Sequence, residues 1–376
     1  MPTKRCIARW SEGMPALAVL AAAVLAACAG APAAQDDPTR APAGRTAPAV
    51  APPSAGGGAH PTSGRPGPSA ITLAFAGDTQ AHGVAGRVNE HGLGEAGRVL
   101  AQADLAMVNL ETVVAEDTSG LVPQPKPFTF VTDPRILTTL RQSGVDVVTV
   151  ANNHGMDFGQ EGMARMLRVK ASSPLPMVGL GKDEREAWAP WVTSVRGRRV
   201  VVLGATDVLD AHLDWKATAT APGLAKVKDD SGMAGLLEGV RAARASGPDT
   251  VVVVYLHSGI EKQRCPTPRQ RETARLLSAA GATVVVGSHA HITQTTTRVG
   301  ETAVAYGLGN FVFGSGSPET TETGVLTVSV PSAGPPALAW SPARIEGGLP
   351  RLLHGAERDR GLRRWERRGE GCPDVG

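Results

Sequence analysis

From Ile71 onward, short apolar runs alternate with segments whose apolar residues recur at helical spacing. The runs at 71–77, 105–110, 145–151, 200–205, 250–256, 282–287 and 302–306 have the length and β-branched content of strands. Val251 to Leu256 shows no polar alternation, as a strand covered on both faces requires. Helices are read from capping chemistry. Asp133-Pro134 opens a segment with Ile136, Leu137 and Leu140 on one face, and Gly144 closes it. Thr267-Pro268-Arg269-Gln270 offers a capping box, Leu276 and Leu277 supply an apolar face, and Gly281 ends the helix before the next strand. Both are helix-to-strand units, so the pattern predicts an α/β domain with helices on both sides of its sheet.

Before Ile71 the pattern is different. Lys4, Arg5 and Arg9 precede a run at 14–27 of almost nothing but Ala, Val and Leu, and then comes Cys28, which reads as a signal peptide. The run is too short for a permanent span, which needs about 20 apolar residues. Leu25-Ala26-Ala27-Cys28 resembles the lipobox of bacterial lipoproteins, whose cysteine carries a diacylglycerol. The expectation is therefore an exported protein, anchored through lipidated Cys28 to the extracytoplasmic face of the bacterial cell membrane. An ordinary signal peptide with an incidental cysteine, or an uncleaved anchor, is the plainer alternative. Residues 29–69 are Ala, Pro, Gly, Ser and Thr with hardly a large apolar side chain, so they cannot bury enough surface to offset ordering entropy. They read as a disordered tether, spanning about 35 Å as a coil and up to about 125 Å if the prolines hold it extended. The expected organisation is a signal peptide at 1–27, a lipid-anchored linker at 28–69, one α/β domain at 70–348 and a basic tail at 349–376. The segment from Arg351 mixes arginine and acid with little apolar content and is expected to be frayed or loosely docked.

Loss of residues 1–27 removes Lys4, Arg5, Arg9 and Glu12 and takes the side-chain net charge from +3 to +1. No basic footprint for nucleic acid remains. Of the four cysteines, Cys6 leaves with the signal and Cys28 is lipidated. Cys265 and Cys372 are then left in an oxidising compartment, where they can pair or stay as separate thiols.

The candidate chemistry lies where the apolar runs end. Asp78 follows the first, Asn109 and Glu111 close the second, and Asn152, Asn153 and His154 follow the third. His257 ends the 250–256 run, and His289 and His291 come just past 282–287. In an open α/β sheet the carboxyl ends of the strands form the crevice where ligands bind. A lone strand-end Asp or Asn is most often a turn residue and a lone His most often structural. Here four of the nine histidines share these positions. His289 and His291 are spaced to put two imidazoles on one side of an extended segment. A mixture of imidazole, carboxylate and carboxamide suits Mn, Fe or Zn better than Ca or Mg. Two ions about 3.5–4 Å apart can clamp both the attacking and the leaving oxygen of an in-line displacement.

The strings Gly77-Asp78, Asn109-Leu110-Glu111, Ala151-Asn152-Asn153-His154 with Asp157 and Gly159, His257-Ser258-Gly259-Ile260-Glu261, Gly287-Ser288-His289-Ala290-His291 and Gly307-Leu308-Gly309-Asn310-Phe311-Val312-Phe313 occur in the order and register of the CapA family. The sequence resembles that family from about Ile71 to Val330. The resemblance implies a four-layer αββα sandwich of metallo-dependent phosphatase-like fold and an association with poly-γ-glutamate capsule synthesis. It further implies that Asp78 and His291 serve one divalent metal, that Asn153, His257 and His289 serve a second, and that Glu111 bridges them. His154 is then the acid, Asp157 steers it, and Glu261 contacts substrate or orients a ligand. Three departures stand out. Glu111 stands where the bridging Asp is expected. Gln80, a poorer ligand, holds the position where phosphoesterases usually have His, and His82 is too far along the chain to replace it without rearrangement. Ser258 replaces the family's Trp and removes an aromatic wall.

The function these readings imply is a surface-anchored, metal-dependent hydrolase of capsule or envelope polymer metabolism. Its partners would be an envelope polymer such as poly-γ-glutamate, the membrane through Cys28, and polymer-synthesis proteins. The rivals are a non-catalytic accessory protein for polymer assembly or export and a cell-surface phosphodiesterase or nucleotidase.

Overall fold

The structure is a computed structural model that describes residues 70–208, 213, 215–314 and 316–373. The expected signal peptide, Cys28 and the tether up to residue 69 lie outside the described residues. Two large sheets dominate. The first has eight strands, in the order Leu349–Leu352, Ala337–Glu346, Glu322–Val330, Ile71–Thr79, Leu105–Leu110, Val147–Thr149 and Met177–Val178, with Asn310–Val312 also paired to Ile71–Thr79. The second has six, in the order Thr296–Val299, Thr302–Ala305, Val284–His289, Val251–Ser258, Arg198–Thr206 and Trp191–Val195. The central strands of the second sheet are parallel and its two edge strands antiparallel.

The layers follow from which side chains share a core. Leu73 and Phe75 of the first sheet meet Val253, Tyr255 and Val286 of the second in one buried cluster, so the sheets face each other. The opposite face of the first sheet, with Ala74, Ala76, Val108 and Val148, is covered by Leu100, Ile136, Leu140, Met163 and Met166 from helices Gly94–Gln102, Arg135–Gln142 and Gly159–Ser172. The outer face of the second sheet carries Leu236, Val240, Ala274 and Leu277 from helices Asp230–Ala245 and Pro268–Ala280. Helix, sheet, sheet, helix is the expected four-layer arrangement. Adjacent residues of Val251–Ser258 alternate between the two cores, which explains its unbroken apolar run.

The capping box at Thr267 forms as read: its hydroxyl accepts from Gln270 N and the Gln270 side chain accepts from Thr267 N. Pro134 takes the cap position of helix Arg135–Gln142, and Asp133 just before it accepts from Arg135 N at 2.8 Å. Several bounds move. The run at 145–151 contributes only Val147–Thr149, because Val145 N instead bonds Leu140 O of the preceding helix. The expected tail is corrected. Leu349–Leu352 joins the first sheet and Gly355–Glu366 is a helix, so the domain does not end at 348. Trp365 stacks on Trp340 at 5.9 Å, Arg364 and Arg368 pair with Glu322, and Cys372 is disulfide-bonded to Cys265. Sparse apolar content misled the reading, since one tryptophan face, one disulfide and a carboxylate shared by two arginines dock this helix.

Candidate metal centre

The first and second sheets bring their strand ends to one buried place. Ile71–Thr79 carries a register shift between Ala76 and Asp78, which sets Asp78 opposite both Asn109 and Asn310. Gly77 permits this: a Cβ there would lie 1.8 Å from the Gly309 carbonyl oxygen. Asn109 donates to Asp78 Oδ1 at 2.7 Å, and its Nδ2 is 3.2 Å from His257 Nδ1. Asn152 donates to Asn109 Oδ1 and to the Leu110 carbonyl. His257 Nε2 lies 2.7 Å from Asn153 Oδ1 and 3.3 Å from Glu111, while its Nδ1 is 3.0 Å from Ser288 Oγ. His289 stacks edge-on to His257 at 4.8 Å, and its backbone N–H donates to Asp78 Oδ2 at 3.2 Å. His291 Nδ1 is 3.4 Å from Asp78 Oδ2 and 2.8 Å from Asn310 Oδ1.

One local expectation is corrected. His289 and His291 do not share one side of an extended segment, because the strand ends at His289 and both residues have positive φ, 96° and 54°. These strained conformations turn the chain at the site and set the two rings 5.8 Å apart.

Two sets of ligand atoms lie within 4.8 Å of one another: Glu111, His257 and His289 form one, and Asp78, Glu111 and His291 the other. Glu111 belongs to both. It is fully buried and neither of its carboxylate oxygens has a hydrogen-bond partner; the Nδ1 of His289 is also buried without one. Interiors seldom leave such groups unpartnered. Burial and the nearby Asp78 charge push the Glu111 carboxyl up to about 8. Burial would also raise Asp78, but its hydrogen bond with His291, the charges of His257 and His291, and the Asn109 donor hold it well below the usual carboxylate range. Burial takes His257 down to about 3 and depresses His289 as well. Burial opposes the charging of His291, yet Glu111, Asp78 and Asn310 outweigh it and push it up to about 10. A protonated acid beside the neutral imidazoles of His257 and His289, with a charged His291 against Asp78, is a donor set that fits a divalent cation, which would displace the protons on Glu111 and His291.

Beside this cluster opens a cleft of about 520 Å³ whose wall includes Gln80, His82, Phe130, His154, His291 and Phe313, with Phe128, Glu261 and Lys262 at its rim. His154 Nδ1 lies 2.7 Å from Asp157 Oδ2. Gln80 is buried on the cleft wall, and its N–H bonds the Val312 carbonyl. Glu261 and His82 are exposed, and neither belongs to either ligand set.

Over residues 72–315 the sequence matches the family described as bacterial capsule synthesis protein PGA_cap. The chain belongs to the PGA_cap family. It is 28% identical over 260 residues to the capsule biosynthesis protein CapA of Bacillus anthracis, covering 68% of this chain and 62% of that one. It is 30% identical over 220 residues to the PGA biosynthesis protein CapA of Bacillus subtilis strain 168, covering 58% and 56%. The matched region thus spans less than two thirds of either relative. Among solved structures, the NAD nucleotidase NadN of Haemophilus influenzae superposes with a TM-score of 0.46 at 12% identity, covering 79% of this chain and 56% of that one.

Every candidate site residue from Asp78 to His291 falls inside the PGA_cap match. Sequence reasoning missed four neighbours of the cluster: Lys126, Phe130, Ser288 and Asn310. Asn310 and Ser288 lay in quoted strings and had no role, whereas Lys126 sits between Pro125 and Pro127 in a stretch without periodicity. Two aromatic rings line the cleft, Phe130 at 4.3 Å from His154 and Phe313 at 5.2 Å from His291.

Proposed function

We propose that this PGA_cap protein is a metal-dependent hydrolase of capsule or envelope polymer metabolism, exported and held at the cell surface through lipidated Cys28. The names of its Bacillus relatives support a polymer of the poly-γ-glutamate type, and the Cys265–Cys372 disulfide supports an oxidising compartment. Asp78 and His291 would hold one divalent ion of the Mn, Fe or Zn class, Asn153, His257 and His289 a second, with Glu111 between them. Bound metal would supply Lewis-acid polarisation of the scissile carbonyl or phosphoryl oxygen. His154, its Nδ1 engaged by Asp157, keeps Nε2 for protonating the leaving group. Glu261, which also lines the cleft, would meet an incoming chain, and the rings of Phe130 and Phe313 would pack against it.

The observation that carries this reading is Glu111, a buried carboxylate shared by both ligand sets with no hydrogen bond to either oxygen. The test is elemental analysis of the protein purified without chelator, beside His289→Ala and Glu111→Gln. Stoichiometric divalent metal in the native chain, lost in both variants, is expected. Metal-free native protein at full occupancy of its fold would sink the reading. One feature favours a second reading, an accessory protein without catalysis: Gln80 stands where the resemblance implies an imidazole. That reading requires capsule assembly to survive His289→Ala.

A further inference from the structure

Lys126 is nearly fully buried, with 3% of its side chain exposed, and its ammonium forms an ion pair at 2.8 Å with Asp157 Oδ1, a buried oxygen that accepts no hydrogen bond. The ammonium donates to the Asn153 carbonyl oxygen at 2.5 Å and sits 5.9 Å from the Trp215 ring centre. The other Asp157 oxygen, Oδ2, lies 2.7 Å from His154 Nδ1 and accepts the Phe130 N–H at 2.6 Å. Gln124 N bonds the Asp157 carbonyl at 2.8 Å, so the proline-flanked segment from Gln124 to Phe130 is fastened to the turn that carries His154. Proline on either side limits the conformations from which Lys126 can reach inward.

We propose that Lys126 is a positioning residue: its charge, paired with the Asp157 carboxylate, fixes that carboxylate and through it the orientation and tautomer of His154, while its hydrogen bond holds the main chain of Asn153. This rests on the reading of the site as a hydrolase in which His154 donates the proton. A carboxylate held through one oxygen alone can pivot about its bond to the imidazole. Filling Oδ1 with a buried cation removes that freedom and commits Oδ2 to the Nδ1–H of His154, leaving Nε2 as the nitrogen available to the cleft. Phe130, fastened to the same Oδ2, packs its ring 4.3 Å from His154 and restricts rotation of the imidazole. One lysine thereby couples the proton donor to the segment of a candidate metal ligand, and neither of those residues need touch the other's side chain.

A lysine that merely anchored the loop would leave the tautomer of His154 unchanged when replaced. The test is ¹⁵N-histidine NMR on the full chain, with the His154 signals assigned by loss in His154→Gln. The native protein is expected to show one His154 tautomer, protonated at Nδ1. Lys126→Met should raise the other tautomer at least about fivefold, and Lys126→Arg, which keeps a buried cation for the carboxylate, should restore the native pattern. A folded Lys126→Met with the native tautomer would overturn the proposal. Should Lys126→Met not fold, ¹⁵N-lysine NMR of the native protein decides: a slowly exchanging Lys126 ammonium supports the hold on Asp157, and a freely exchanging one overturns it. Elemental analysis of the same samples keeps the two ideas apart. A tautomer shift in metal-free protein upholds Lys126 and sinks the hydrolase, whereas bound metal with an unmoved tautomer does the reverse.

Discussion

Glu111 shows what a single side chain implies. Its carboxyl is held near 8 against an ordinary value of 4.5, so in metal-free protein it folds neutral. A carboxyl whose folded value is raised contributes stability that is fully present below about 4.5 and is lost as pH climbs through about 8. The melting temperature of chelator-treated protein should therefore fall across that window more steeply than that of Glu111→Gln, and a divalent metal should abolish the difference by replacing the proton. Equal slopes in the two chelated proteins would contradict this. The residues of the cluster were legible because each ends an apolar run, and the end of a strand is set by local pattern. Lys126 was not legible, since its role depends on a loop crossing to a turn 27 residues away. Glu261 stands in a recognisable string, yet the chain carries it to the exposed rim, which no spacing rule foretells.

At the scale of elements, the close approach of Ile71–Thr79 and Asn310–Val312 places Asp78 against Asn310. Gly77→Ala would drive a methyl into the Gly309 carbonyl, and backbone on both sides leaves no flexible atom to yield. The expected loss lies at or above the upper end of the about 1–3 kcal/mol typical of overpacking, read as a shift in denaturation midpoint. Thr267→Ala tests a milder device, the capping box of Pro268–Ala280, and should cost about 1 kcal/mol by the same measurement. A midpoint unchanged within error would mean the cap adds nothing there. Caps and parallel strands were readable because both are local. The antiparallel limb Glu322–Val330, Ala337–Glu346 and Leu349–Leu352 was not assigned. Its middle strand carries Pro342, paired with Gly324, and both residues argue against a strand when seen in sequence.

For the whole molecule, the apolar runs said α/β but could not assign strands to two sheets, because strands buried on both faces look alike whichever sheet they join. Only the family resemblance implied the facing pair. The pairing of Cys265 with Cys372 was equally open in the sequence, and it closes the largest covalent loop among the described residues, a separation of 107. That loop runs from the segment before helix Pro268–Ala280, past both candidate histidines 289 and 291, to the end of helix Gly355–Glu366. Chain-entropy reasoning assigns a bridge of that span about 4–5 kcal/mol, through restriction of the unfolded chain. The helix would still be held by the Trp340–Trp365 stack and by Glu322, so Cys372→Ser should fold, with its denaturation midpoint lowered by up to that amount. Its loosened end should then expose the Arg367–Arg368 bond to trypsin, giving a cut under native conditions that the oxidised chain resists. If Cys372→Ser matched the native protein in both midpoint and cleavage, the tryptophan stack and the arginine pairs would be enough to hold this end of the fold, and the bridge would be dispensable to it.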